Sequence, residues 1–443
     1  MKPAGYPVYR LSGLDWMKEI PAHWEIKKLR YLGDALIGLT YDPADVVAEG
    51  EGTLVLRSSN IQNGRITLDD NVFVSTKIPS ELITREKDII ICSRNGSRAL
   101  VGKTAKIEGS AVGTSFGAFT TVFRSGLNDF LYYVFNSQLF SFQAGRFMTT
   151  TINQLTTGTL KDLEVPVPPV QEQRRIADFL DRETAGIDRL VTKQNCLVSS
   201  LIDRRQAVIC QLVTKGLNAA AALTPSGVEW LGEVPKHWEV CRIGSLFREA
   251  ADVGEDGLPI LTVSIHDGVS DRQLDDEELE RKFIRIEDTS KYKKVIPSDL
   301  VYNMMRAWQG GFGAVLVAGL VSPAYVVARP RRPMVTKFIE LLLRTPAAIE
   351  EMRCHSYGVA DFRLRLYWDH FKMLRVALPP LAEQREIVEA AQRETESVDA
   401  LIRVIEVQNE KLAEYRSALI SAAVTGQIDV RNYHPQEAAV LCQ

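Results

Sequence analysis

The sequence predicts an α+β fold in which two mixed α/β domains are separated by two long helices that form an antiparallel coiled coil. The chain contains two copies of one pattern, and each copy ends in a long Pro-free stretch that begins after a Pro-Pro pair. Its 443 residues also exceed what one hydrophobic core usually supports, so several domains are expected. The duplication predicts an internal pseudo-twofold repeat.

The first repeated element is a short head at the start of each copy. Residues 12–26 read SGLDWMKEIPAHWEI and residues 226–240 read SGVEWLGEVPKHWEV, so 8 of 15 positions are identical. The second head begins 214 residues after the first. His23 and His237 lie beside Trp24 and Trp238, which indicates a packing role for these side chains.

The second repeated element starts a long helix. Residues 165–184 read VPVPPVQEQRRIADFLDRET and residues 376–395 read VALPPLAEQREIVEAAQRET, an offset of 211 residues. Proline suits the entry to a helix but not its interior. The stretch from Gln171 to about Lys215 lacks proline, and about 45 helical residues span about 65 Å. Each copy therefore ends in an unusually long helix.

Apolar residues in these helices alternate in steps of three and four, which predicts a coiled-coil seam. Gln194 and Arg204 interrupt the seam of the first helix and Gln408 that of the second, and buried polar residues can fix the register of a coiled coil. Two amphipathic helices packed on separate domains are the alternative. The predicted seam residues are Leu180, Ile187, Leu190, Leu197, Leu201 and Val208 in the first helix and Val398, Leu401, Leu412 and Leu419 in the second.

The bodies between heads and helices have mixed α/β character. Strand-like runs separated by turn residues occupy residues 55–91 and 258–327, and short helical stretches follow. The predicted domains are 1–168, 169–217 (first long helix), 218–378, 379–428 (second long helix) and a tail at 429–443. The bodies share little sequence, which suggests one architectural role with two separate specificities.

Composition excludes several classes of protein. Lys and Arg number 53 against 56 Asp and Glu, so a nucleic-acid surface has to be local. The six Cys form no Cys-x-x-Cys motif, which favours reduced thiols in a cytoplasm over a disulfide framework or a zinc site. The start lacks the apolar core of a signal peptide, and no apolar run is long enough to span a membrane.

Several motifs come close to enzymatic chemistry. Gly102-Lys103-Thr104 resembles the end of a phosphate-binding loop, but Gly96 lies six residues before Gly102 instead of five, and a hairpin strand is the better interpretation. Residues 113–117 match G-x-S-x-G around Ser115, without a counterpart in the second copy. Glu25 and Lys27 supply part of a nuclease site. We predict no catalytic residue and no metal site; a single-chain nuclease or hydrolase stays an alternative.

Polar loops in the bodies are the remaining candidates for function. Residues 55–150 carry 11 Lys/Arg and 7 Asp/Glu, and residues 260–375 carry 18 and 15, whereas the second helix at 381–429 carries 5 and 10. DNA binding uses Lys and Arg for phosphates and Arg, Asn, Gln, Ser and Thr for base edges. The candidate DNA-binding residues are Arg57, Ser59, Asn60, Gln62, Arg94, Asn95, Ser97, Arg98, Asn153 and Gln154 in the first body and Asn303, Arg306, Gln309, Arg363 and Arg365 in the second.

The duplicated motifs carry a family resemblance. The heads follow W-x₃-(I/V)-P-x-H-W-E, and the helix starts follow P-P-x-x-E-Q-R-x-I. With these motifs, over about residues 12–429, the chain resembles the specificity (S) subunit of type I restriction-modification enzymes. The polar runs at 56–61 and 299–306 resemble segments of the target recognition domains of that family.

The resemblance implies a function without chemistry in this subunit. Each body would be a target recognition domain that reads one half of a split duplex DNA sequence, and the antiparallel helices would separate the two domains. Two modification (M) subunits would methylate adenine with S-adenosylmethionine, and restriction (R) subunits would add ATP- and Mg-dependent translocation and cleavage. The alternative is a coiled-coil adaptor that joins proteins without reading DNA.

Overall fold

The computed structural model describes residues 5–14, 16–147, 153–265, 268–270, 291–358 and 364–433. The chain divides into two compact units. Unit 1 comprises Met1–Gln194 and Glu406–Gln443, and unit 2 comprises Asn195–Ile405. Both dividing points fall inside a long helix, so each long helix contributes one part to each unit.

Unit 1 is built on two four-stranded sheets. One is antiparallel with the order β11-β10-β13-β4, and the other has the order β12-β6-β9-β5 with β12 parallel to β6. The strands are β1 (Tyr9–Leu14), β2 (Met17–Pro21), β3 (Glu25–Lys28), β4 (Asp34–Ile37), β5 (Val46–Val47), β6 (Thr53–Leu56), β7 (Ile61–Gln62), β8 (Arg65–Ile66), β9 (Phe73–Val74), β10 (Ile89–Cys92), β11 (Thr104–Lys106), β12 (Ser115–Phe116), β13 (Thr120–Arg124) and β14 (Glu164–Val167). The helices that begin in this unit are α1 (Asn128–Phe135), α2 (Gln138–Phe147), α3 (Thr157–Asp162) and the long α4 (Val170–Lys215).

Unit 2 has one four-stranded antiparallel sheet with the order β18-β25-β22-β23, together with two-stranded pairs. Its strands are β15 (Leu223–Pro225), β16 (Glu233–Pro235), β17 (Glu239–Arg242), β18 (Phe247–Ala250), β19 (Thr262–Ser264), β20 (Gly268–Ser270), β21 (Lys293–Val295), β22 (Leu300–Asn303), β23 (Phe312–Ala314), β24 (Gly319–Val321), β25 (Tyr325–Pro330) and β26 (Arg375–Leu378). Its helices are α5 (Ile243–Leu246), α6 (Thr336–Leu343), α7 (Pro346–Cys354), α8 (Trp368–Phe371) and the long α9 (Leu381–Val424).

The central strands β10 and β22 are buried on both faces, which explains their continuous apolar runs. Ile89 and Ile91 contribute to the main core of unit 1, whereas Ile90 faces a second cluster with Phe116 and Val122. Strand β22 divides in the same way, with Leu300 and Tyr302 in one core and Val301 in another. Each central strand thus contributes side chains to one core on each face of its sheet.

A buried ion pair lies at the same point of each central sheet. Asp88 precedes β10, and Arg124 Nη2 at the end of β13 lies 2.6 Å from its Oδ2. Asp299 precedes β22, and Arg329 Nη2 in β25 lies 2.9 Å from its Oδ2. The two aspartates are only 2% and 0% exposed, and such buried charges need a partner. This pair relates the two bodies although their sequences have diverged.

In unit 1 the head binds the start of the long helix through one carboxylate. Trp24 Nε1 donates to Glu172 Oε1 at 3.0 Å, His23 Nε2 lies 2.8 Å from Glu172 Oε2, and the Tyr6 hydroxyl donates to Glu172 as well. Burial and the hydrogen bond to Glu172 raise the pKa of Tyr6 above its usual range. Gly426, just after α9, lies against Trp24 with φ 73°, and an added Cβ would meet the Trp24 ring at 3.3 Å.

Unit 2 repeats this junction with the other ends of the same helices. Trp238 Nε1 donates to Glu383 Oε1 at 3.2 Å, and His237 Nε2 lies 2.7 Å from Glu383 Oε2. Gly216, just after α4, has φ 75° and would place a Cβ 2.9 Å from Glu383 Oε1. Each histidine thus contacts the same carboxylate as its neighbouring tryptophan, and the repeated motifs of head and helix start meet in three dimensions.

The long helices run antiparallel within each unit, as predicted. In unit 1 Gln194 Nε2 donates to Gln408 Oε1 at 3.0 Å, while Asp188, earlier in α4, pairs with Arg416, later in α9, at 3.3 Å. In unit 2 Arg205 of α4 pairs with Asp399 of α9. Along these pairs the residue numbers rise in α4 while they fall in α9, so the predicted antiparallel pairing is confirmed.

The predicted seam is continuous only in part. Ile405, one turn beyond Leu401, is 4% exposed and occupies the buried position instead. An α-helix has 3.6 residues per turn, so its apolar stripe drifts away from a strict heptad repeat. Two helices also bury only one narrow stripe on each other. The expectation of a buried seam is therefore wrong at the exposed positions. Leu180, Ile187, Val398 and Leu419 are buried, Leu201, Val208 and Leu412 are half-buried, and Leu190, Leu197 and Leu401 are 46%, 48% and 44% exposed.

Candidate nucleic-acid interface

In unit 1 two separate segments meet at the end of the central strand. The first is the loop at 93–103 between β10 and β11, called the hairpin loop of unit 1, and the second is the segment at 153–155. Leu155 N donates to Ser93 O at 2.8 Å, and Asn153 Nδ2 donates to Gly96 O at 3.1 Å. These bonds bring the predicted residues Asn153 and Gln154 beside the predicted residues of the hairpin loop.

The hairpin loop of unit 1 carries three basic side chains and no acidic one. Arg94, Ser97 and Arg98 are exposed and Asn95 is half-buried. Asn95 Oδ1 accepts from Ser97 N at 3.0 Å, so this amide also shapes the turn. Arg98 Nη2 donates to Gly145 O at 3.3 Å. The loop therefore presents exposed positive charge on a turn stabilised by hydrogen bonds.

Phe119, which the sequence did not single out, lies beside Arg94. It is 59% exposed, and the Arg94 guanidinium lies 5.3 Å from the centre of its ring. The backbone N–H groups of Ser93 and Arg94 both donate to Phe119 O at 3.0 Å. In the sequence Phe119 looks like one more residue of a strand, so no local signal identifies it.

An open groove of about 610 Å³ adjoins the hairpin loop of unit 1. Its polar lining combines predicted residues with others that the sequence did not indicate. Lys103 is exposed, and no carboxylate pairs with it among the residues that the structure describes. In the sequence, Lys103 stood out only as part of a Gly-Lys-Thr motif that resembles a phosphate-binding loop. The predicted lining residues are Ser59, Gln62 and Asn95, and the additional ones include Asn63, Lys103 and Asn136.

Two predicted residues near this groove have structural partners. Asn60 is 1% exposed, and its amide donates to Thr67 O at 2.9 Å and to Asp70 O at 3.2 Å. Contrary to the expectation, Asn60 is not available to DNA. Arg57 pairs with Asp70, with Nη2 2.7 Å from Oδ2. Asn and Arg stabilise turns with the same groups that bind bases, which is why residue type alone did not separate the two roles.

Unit 2 joins its equivalent segments by the same hydrogen bond. Leu366 N donates to Met304 O at 2.9 Å, as Leu155 N does to Ser93 O. Residues 304–311 between β22 and β23 form the hairpin loop of unit 2, in which Arg306 and Gln309 are exposed. Arg365 is exposed beside this loop, and Arg363 lies outside the described residues. Asn303 Oδ1 accepts from Met305 N at 3.0 Å, so its side chain also shapes the turn.

Strand register shows which residues correspond between the units. Cys92 pairs with Thr120 in unit 1, and Asn303 pairs with Tyr325 in unit 2. It follows that Arg94 corresponds to Met305, Asn95 to Arg306, Phe119 to Ala324 and Gln154 to Arg365. The same backbone positions therefore present different side chains in the two units.

The enzymatic alternatives find no support in the geometry. Ser115 is 0% exposed, and its hydroxyl donates to Leu82 O at 3.1 Å. Glu25 forms an exposed ion pair with Lys27 at 2.6 Å, and the hydrogen bond from Lys27 lowers the pKa of Glu25. No group of three or more His, Cys, Asp or Glu able to hold a metal occurs in the described part of the chain. None of the described helices is long and apolar enough to cross a membrane.

Comparison with known proteins gives one family. The profile of the type I restriction modification DNA specificity domain matches residues 21–196. The specificity subunit of the type I restriction enzyme EcoKI from Escherichia coli K12 is 25% identical, over 93% of this chain and 90% of that subunit. A putative type I MjaX specificity subunit from Methanocaldococcus jannaschii is 24% identical, over 93% of this chain and 95% of that protein. This chain is similar to the specificity subunits of type I restriction enzymes along most of its length.

A solved structure has a similar fold. A chain from work on complex assembly and conformational transition of the type I R-M system superposes with a TM-score of 0.66 at 16% identity, covering 92% of this chain and 99% of that chain. The domain profile matches within the first copy, whereas the relatives match across both copies. Type I specificity subunits are the non-catalytic subunits of their restriction-modification systems.

Proposed function

We propose that this chain reads a bipartite, asymmetric duplex DNA target, with each unit reading one half. The observation that carries the proposal is the equivalent position of the two hairpin loops, each joined to a second polar segment by the same backbone hydrogen bond. A shared frame that presents different side chains is what two readers of unequal sequences need. In domain terms, we propose recognition domains at 1–168 and 218–378, with the scaffold helices at 169–217 and 379–428 and a tail at 429–443.

Phosphate contacts and base contacts have separate candidates. Arg94, Arg306 and Arg365 are exposed, and arginine can donate two hydrogen bonds to a guanine edge. Lys103 is a candidate for phosphate contact because its ammonium is a point charge on a flexible stem. The remaining candidate contacts are Ser59, Gln62, Asn95, Ser97, Arg98, Asn153, Gln154, Asn303 and Gln309.

The chemistry belongs to partner subunits in this proposal. Two modification subunits would bind the two copies of the scaffold and methylate adenine with S-adenosylmethionine, and restriction subunits would supply ATP- and Mg-dependent cleavage. A tandem repeat offers two copies of one surface, so two identical partners can bind equivalently. The exposed side chains of Leu190, Leu197 and Leu401 provide apolar area on the helices for such partners. Because the assembly would act on chromosomal DNA, we propose a cytoplasmic location.

The test is a genome-wide map of N6-methyladenine in cells that carry this gene with its modification subunit, compared with cells that lack only this gene. We expect one gene-dependent split motif with unequal halves and a fixed gap. A coiled-coil adaptor that does not read DNA predicts no gene-dependent motif, and a single-chain nuclease predicts cutting by the purified chain with Mg²⁺ alone. Either result contradicts the proposal.

A further inference from the structure

Phe119 occupies an unusual position for a large apolar side chain. It is 59% exposed, yet its backbone is held against the hairpin loop of unit 1. Its carbonyl accepts from the backbone N–H of Ser93, from that of Arg94 and from Ser93 Oγ, each at 3.0 Å. The surrounding hydrogen bonds thus fix an apolar ring at the surface among polar candidates for DNA contact.

Arg94 is positioned by the same contacts. Its guanidinium lies 5.3 Å from the centre of the Phe119 ring, a cation–π arrangement that leaves the hydrogen-bonding edge of the guanidinium free. Its backbone forms a bridge to Gln154. No carboxylate pairs with Arg94 within the described ranges. The ring and the guanidinium therefore form a preorganised pair at the surface.

The pair is a property of unit 1 only. By strand register its counterparts in unit 2 are Met305 and Ala324. The elements that hold the frame, such as the buried pairs of Asp88 and Asp299, occur in both units. A feature present in one unit alone, on the segment that varies, points to specificity and not to folding.

We propose, on the basis of the function proposed above, that Phe119 and Arg94 read two neighbouring base pairs in the major groove. The Phe119 ring packs on the 5-methyl group of a thymine, and Arg94 donates to O6 and N7 of an adjacent guanine. Apolar side chains recognise the thymine methyl, and a bidentate arginine recognises guanine. Successive bases along a strand are about 3.4 Å apart, so groups centred 5.3 Å apart suit neighbours.

The experiment uses the full chain assembled with its modification subunits and the duplex target found by methylation mapping. Each thymine of the target is replaced singly by deoxyuridine, which removes only the 5-methyl group. For the wild type, we expect one such replacement, in one half of the target, to weaken binding about fourfold, as burial of one methyl group predicts. In Phe119→Ala the same replacement has no effect, because the methyl contact is already lost.

Three variants control the measurement. Phe119→Leu keeps an apolar side chain and retains part of the methyl dependence. Phe142→Ala removes another exposed phenylalanine, 55% exposed on α2, and leaves the dependence intact. Arg94→Ala removes the donors, so its binding becomes insensitive to replacement of the adjacent guanine by 7-deazaguanine, which lacks N7.

The outcomes separate the inference from the function on which it rests. A target in which no thymine methyl matters, or in which Phe119→Ala shows the same loss on removal of the methyl, overturns the thymine contact. Weaker binding by Phe119→Ala without any dependence on the methyl identifies the ring as a wedge between bases and also overturns it. If the wild-type complex binds the mapped target no better than random DNA, the proposed function itself fails, and the inference with it.

Discussion

Units 1 and 2 share a buried ion pair before the central strand and differ in the hairpin loop that follows this strand. Both contain an Asp–Arg pair at the central sheet and a carboxylate at the start of a long helix that is bound by Trp and His of the head. Their hairpin loops carry three basic residues at 93–103 and one at 304–311. Buried charges tolerate little change, because losing one partner leaves the other desolvated. Exposed loops have no such constraint, so their side chains can differ while the frame stays the same.

The largest expected effect comes from removing one buried aspartate. Asp88→Ala leaves Arg124 without its carboxylate and should cost about 3–5 kcal/mol of the free energy of unfolding of unit 1. Hydrogen exchange should show faster exchange in β10 and β13 with little change in β22 and β25. Asp299→Ala should give the mirror result. Asp69→Ala, at an exposed position, is the control. Equal loss of protection in both units would mean that they do not fold as separate frames.

Substitutions in the hairpin loops should change DNA recognition and leave the free energy of unfolding unchanged, which is the opposite of substitutions at the buried ion pairs. Arg306→Ala should weaken binding to the target by about 1–3 kcal/mol and relax preference at one base pair if the guanidinium contacts a base. The change should fall in one half of the methylation motif. Gln309→Ala, in the same hairpin loop, serves as a neighbouring comparison. An unchanged motif and affinity would remove Arg306 from the interface.

The two head junctions differ in burial, and this difference can be measured. The Glu172 side chain is 7% exposed and has three donors, whereas Glu383 is 22% exposed and binds Trp238 and His237. Glu172→Ala should therefore destabilise its unit by about 1.5–3 kcal/mol more than Glu383→Ala, since one hydrogen bond to a charged group is worth about that much. Hydrogen exchange of the two head segments provides the measurement. Equal costs would show that exposure does not distinguish the junctions.

The repeat made much of this fold predictable. Residues that are identical in both heads or in both helix starts, such as Trp24 and Glu172, bind each other in the structure. They stayed identical because two side chains that bind each other cannot change independently. The Asp88–Arg124 pair was not predictable, since 35 residues separate the two in the sequence and nothing there shows that they meet. Leu197 was wrongly predicted to be buried, because a seam inferred from periodicity assumes a regular supercoil.

The candidate interface was predictable in composition and not in geometry. Arg94 and Gln154 were chosen independently, and the structure brings them together through a backbone bridge. Asn60 was chosen for the same reason and is buried, because an amide satisfies a turn as well as it satisfies a base. Phe119 was missed since its exposure depends on the neighbouring loop and not on its own sequence context.

The smallest expected effect separates phosphate contact from base contact. Lys103→Ala removes a charge that unit 2 lacks in its shorter hairpin loop, and it should weaken binding to all duplexes alike, by less than about 1 kcal/mol near physiological salt. The slope of log affinity against log salt should fall in magnitude by about 1, the value for one phosphate contact. Lys18→Ala, at an exposed position on β2, should leave the slope unchanged. A sequence-dependent loss in Lys103→Ala would instead assign this lysine to a base edge, and the extra charge of unit 1 would then belong to its specificity.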